Sequence, residues 1–184
     1  MMTVDQAQAQ VREGFVGGGP GAIVSSIVWF AAAWFLAQGS VAEGFAALFV
    51  GGMLIFPVSS LFCRFGFGRT ASVKGNPLGL IALESTIAMI GALIAAWLLI
   101  QSRPDTVMPV AALAVGTHYF AFKTAYGDRT YWLLAAILTL LGCVGLFWLP
   151  GRNLILMVAF ASVELMFGLV LTMNNLRHRT ATAT

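Results

Sequence analysis

The chain repeats one pattern six times: an apolar run about as long as a bilayer is thick, followed by a short polar break. The runs fall at 22–38, 41–63, 77–100, 106–126, 130–149 and 153–174. A helix needs about 20 residues to cross the hydrocarbon core, and in hydrocarbon the backbone must satisfy its own hydrogen bonds. The pattern therefore predicts an all-α integral membrane bundle of about six transmembrane helices. Composition agrees: of 184 residues only 9% are charged and 59% are hydrophobic. A soluble domain carries about 25% charged residues, so lipid must cover part of this chain.

The breaks between runs set the domain organisation. Residues 1–21 form an amphipathic segment and a glycine-rich hinge, 22–176 one transmembrane domain, and 177–184 a short polar tail. Val4, Ala7, Val11 and Phe15 recur at helical spacing, which predicts a short N-terminal helix lying at the membrane interface. Asn76 followed by Pro77 reads as an N-cap and first turn opening the third span.

Basic residues orient the bundle. With six spans, Arg12, Arg64, Arg69, Lys74, Lys123, Arg129, Arg177 and Arg179 fall on the side of the termini. Arg103 and Arg152 fall on the other. Eight of the 10 bases on one side is a strong positive-inside bias. It predicts a multi-pass membrane protein with both termini in the cytoplasm (N-in/C-in).

Several function classes drop out. The net charge of +3 is spread over short loops, so no basic face for nucleic acid forms. Cys63 and Cys143 lie in different runs without CxxC spacing, which excludes a zinc signature. Gly17-Gly18-Gly19 is not followed by the Gly-Lys-Ser/Thr of a phosphate loop. No HExxH or ExxH spacing points to a metal, and no residue pattern calls for a cofactor or names a catalytic residue.

Three runs each carry an ionisable group beside small residues. Glu84 shares a helical face with Ala88, Gly91 and Ala95. His118 shares one with Ala111, Ala114, Ala121 and Ala125, and Glu164 with Ala161, Gly168, Thr172 and Asn175. Small-residue faces pack against other helices in a membrane, and ionisable groups there avoid lipid. The pattern predicts that Glu84, His118 and Glu164 converge in the cytoplasmic half, with Tyr119 and Asn76 nearby. Such a cluster can relay a proton, hold a cation or grip a small polar solute. Interhelical hydrogen bonding is the structural alternative.

The segments GGMLIFPVSSL at 51–61, NPLGLIALEST at 76–86 and GTHYFAF at 116–122 together resemble a family of small bacterial polytopic membrane proteins known only as a domain of unknown function. The resemblance implies a helical membrane domain in a bacterial cytoplasmic membrane and brings no activity. Three functions remain: a small transporter- or channel-like protein with a cytoplasm-facing polar site, a membrane-embedded enzyme on a lipid-like substrate, and a non-catalytic partner or assembly protein. The expected partners are the bilayer, a small polar solute, proton or cation, and further copies of the chain in a homo-oligomer.

Overall fold

The computed structural model describes residues 2–71 and 74–182 and is all-helical over them. Seven α-helices follow in order: α1 (Val4–Gly14), α2 (Gly19–Gln38), α3 (Val41–Leu61), α4 (Leu78–Leu98), α5 (Pro104–Tyr126), α6 (Thr130–Phe147) and α7 (Asn153–Thr182). Five of the apolar stretches are long and apolar enough to cross a membrane: Val16–Gln38, Val41–Gly66, Leu78–Leu98, Thr130–Phe147 and Asn153–Arg177. The other expected span, α5, has 23 residues but is not among these five. It carries two prolines and the Thr117-His118-Tyr119 triplet, which lower its apolar content.

Local chemistry sets the helix ends. Thr3 and Ser40 each close a capping box, with Gln6 and Glu43 at the third helical position. Glu43 therefore serves as a cap. Gly127 ends α5 in the left-handed region that a side chain disfavours. Inside α3, Pro57 breaks the regular ladder, and Ser59 donates to the Phe56 carbonyl at 3.1 Å. A π-turn over Phe62–Gly66 then ends that rod.

α2 runs antiparallel to α3 and α7, and α5 antiparallel to α6. α2 packs on α3 and α7, α5 on α4 and α6, and α6 also on α7. Glycines let backbones approach at these seams. A Cβ on Gly168 would lie 2.9 Å from the Ile23 nitrogen, and one on Gly116 would lie 2.7 Å from that of Thr139. The two outermost rods, α3 and α4, bury the smallest share of their length.

α1 packs on protein along the stripe that suggested a lipid surface. Ala7 and Val11 are buried, while Val4 is exposed. Gln8 donates to the Thr124 carbonyl at 2.9 Å, Arg12 donates to the Tyr126 carbonyl, and Asn175 donates to the Arg12 carbonyl at 3.1 Å. The helix thus closes one end of the bundle, where α4 begins and α5 and α7 run out. The backbone of 177–182 continues α7.

Candidate functional site

Glu164 on α7 is fully buried, with no exposed surface. Its Oε1 accepts from Ser25 Oγ of α2 at 2.9 Å and from the Tyr119 hydroxyl of α5 at 2.8 Å. One oxygen therefore ties three helices together. Its Oε2 has no hydrogen-bond partner among the described residues. One turn away, Trp29 and Phe160 meet at 4.3 Å between ring centres and are almost wholly buried. They lie four residues from Ser25 and Glu164 on the same helices, so they cap that side of the carboxyl with apolar surface.

On the other side an aromatic column begins at Tyr119. Tyr131 stacks on it at 6.4 Å and on Tyr126 at 5.1 Å, and Phe122 meets all three rings edge-on. The Tyr131 hydroxyl donates to the Gly17 carbonyl at 2.7 Å. This contact explains the glycine run. Gly18 has φ +78°, and a Cβ there would lie 2.9 Å from the Tyr126 ring. The column fills the space between Glu164 and the end closed by α1.

His118 precedes Tyr119 by one helical step and faces α4 instead. Its Nδ1 lies 2.6 Å from Ser85 Oγ, which is also 3.2 Å from the His118 carbonyl. The single hydroxyl proton can serve one of these at a time. If it serves the carbonyl, the ring N–H donates to Oγ. A small cleft of about 170 Å³ opens here, lined by Ser85, Ala88, Met89, Ala92, Ala114, Thr117 and His118. A hydroxyl beside an imidazole is the start of a nucleophile–base pair. However, Ser85 sits within α4, where the backbone N–H groups are engaged in the helix. It has no pair of free donors to stabilise an oxyanion.

Glu84 corrects the expectation of a packed face. It is exposed, and so are Ala88, Gly91 and Ala95 on its stripe. A Cβ on Gly91 would meet nothing within 4 Å. α4 turns the adjacent stripe inward, with Ser85 and Met89 half-buried and Ala96 fully buried. Both stripes are rich in small residues and differ by one position, or about 100° around the helix. The predicted three-residue convergence therefore splits into Glu164 with Tyr119 inside, His118 with Ser85 at the α4–α5 seam, and Glu84 outside.

Asn76 lies apart from all three. Its Oδ1 accepts from the Leu78 N–H at 2.9 Å, capping α4, while its Nδ2 donates to the Ala7 carbonyl and to Gln10 Oε1. It joins α1 to α4. Sequence reasoning missed Ser25, Ser85 and Tyr131; the Ser25-Ser26 pair in an otherwise apolar run was the available signal. Among the described residues no three His, Cys, Asp or Glu side chains gather as a metal site.

Residues 4–174 match a protein family described as a family of unknown function, DUF7010. No curated protein and no solved structure matches the chain.

Proposed function

On the footing that the chain belongs to DUF7010, a family of unknown function, we propose that it is a non-catalytic multi-pass membrane protein, a partner or assembly component. In this reading residues 22–176 form one six-span domain in a bacterial cytoplasmic membrane, with both termini inside. Eight of 10 bases then lie on the inner side. α5 is the sixth span, held between α4 and α6, so its polar residues need not face lipid.

One observation carries the assignment: the fully buried Glu164 is bound to Ser25 and Tyr119 from two other helices and covered by aromatic rings. Polar groups placed this way fasten membrane helices. A chain with a fastened interior acts through the surfaces it turns outward, and α3 and α4 present most of theirs. The outward carboxylate of Glu84 belongs with that surface.

A second reading is favoured by the unpartnered Oε2 of Glu164. A buried acceptor without a donor suits a group that takes up a proton or a small cation during transport. One experiment separates the two. The purified chain is reconstituted in liposomes, and proton and potassium flux are measured under an imposed potential. The partner reading predicts flux equal to that of protein-free liposomes. A protein-dependent flux abolished by Glu164→Gln would overturn it in favour of transport.

A further inference from the structure

We propose that the cleft between α3 and α4, at the end of the bundle closed by α1, binds one anionic phospholipid. The proposal rests on reading α3 and α4 as membrane spans and is independent of what Glu164 does. The cleft is an open one of about 540 Å³. Phe15, Phe56 and Leu80 give it apolar walls, and Lys74, Gly75 and Asn76 lie along its polar rim.

Its placement selects the ligand. Both α3 and α4 rest on α5, and their cleft-lining residues Phe56 and Leu80 are 68% and 58% exposed. The walls therefore open sideways, toward acyl chains. The rim lies at the first turn of α4, the depth of lipid headgroups. Chain and headgroup thus meet the apolar and polar parts of the cleft in the order a bilayer lipid presents them.

Charge selects the headgroup. Lys74 brings a cation to the rim, no acidic residue lines the cleft, and Lys74 makes no ion pair among the described residues. Arg69 does not line the cleft and is paired with Glu13, so Lys74 is the cation that faces it. Arg69 is 7% exposed, its Nε has no partner, and its guanidinium lies 3.7 Å from the largely exposed carboxylate of Glu13. A basic pocket between spans at the cytoplasmic interface attracts anionic headgroups.

The rim is also fixed in place. All three hydrogen bonds of the Asn76 side chain go to α1 or to the start of α4. Ala71, another lining residue, has φ +47°, a conformation that side chains disfavour. Its N–H donates to the Gly14 carbonyl at 3.2 Å. That bond ties Ala71 to the last residue of α1.

The test uses the full chain in detergent, with phosphatidylglycerol and phosphatidylcholine of identical acyl chains. Native mass spectrometry reads retained lipid, and thermal unfolding reads Tm. We expect one phosphatidylglycerol retained with a raised Tm, and neither effect from phosphatidylcholine. Lys74→Ala should weaken phosphatidylglycerol binding about fivefold to tenfold. Gly79→Trp, on the α4 wall, should block it, while Lys123→Ala, a cation elsewhere, should leave it unchanged. Three results would overturn the site: undiminished binding in Lys74→Ala, an equal loss in Lys123→Ala, or the same Tm rise from glycerol phosphate alone. Retention of a second copy of the chain at this cleft in place of lipid would do the same. Flotation with liposomes checks the premise separately. A chain that does not float refutes the membrane reading itself, whereas one that floats without headgroup preference refutes only the lipid site.

Discussion

The Tyr119 hydroxyl donates to Glu164 Oε1 across 2.8 Å, inside a bundle where both side chains are buried. Ser25 supplies the same oxygen with a second donor. α5, α7 and α2 therefore share one acceptor. Interhelical hydrogen bonds in membranes contribute about 0.6 kcal/mol on average and up to about 1.7. This knot sets helix register more than it sets total stability.

Tyr119→Phe should lower stability by about 1 kcal/mol, since one of two donors to the acceptor is lost. Glu164→Gln keeps an acceptor oxygen in place and adds an amide without a partner, at a cost of about 1–3 kcal/mol. Glu164→Leu removes the acceptor altogether, so Tyr119→Phe combined with Glu164→Leu should cost less than the sum of those two single variants. Unfolding in detergent measures each variant, and strict additivity of Tyr119→Phe and Glu164→Leu would show that the two side chains do not interact. Glu164→Lys places an ammonium where no carboxylate is at hand and should not accumulate as folded protein.

On α4 the expectation reverses for the other glutamate. Glu84 is exposed, so Glu84→Gln and Glu84→Lys should both fold, the lysine reaching the headgroups with its long stem. Gly91→Ala should be neutral or slightly stabilising, because its Cβ meets nothing. Gly168→Ala should destabilise by about 1–3 kcal/mol, because its Cβ would press on the α2 backbone. Thermal melts of the four variants give the comparison, and collapse of Glu84→Lys would mean that this face is covered.

The proposed topology predicts that cysteines substituted for Arg103 and Arg152 react with an impermeant maleimide added outside intact cells, while one substituted for Lys74 reacts only after lysis. Cys63 and Cys143 are free, so both are first replaced. Outside labelling at position 74, or protection at positions 103 and 152, would invert or break the six-span arrangement.

Five of the six expected apolar runs were legible as helices long and apolar enough to cross a membrane, because hydrophobic length is a local property of the chain. So was the cap at Asn76, whose Oδ1 does meet the Leu78 N–H. The inward face of α4 was not legible. The stripes through Glu84 and through Ser85 are both rich in small residues, and only the position of α5 decides between them. Ser25 was missed because its acceptor lies 139 residues further along the chain. The stripe of α1 reads the same whether lipid or the bundle end covers it, so its contacts with Thr124, Tyr126 and Asn175 had no sequence signal.

Water access to the Glu164 pocket tests the central claim most directly. Ser25→Cys places a thiol at the carboxyl in a chain with its own cysteines replaced, and a small water-soluble methanethiosulfonate reports entry. A sealed fastener predicts that the introduced thiol reacts only as fast as the protein unfolds. Rapid labelling of the folded protein from either side of the membrane would contradict it and put water at Glu164.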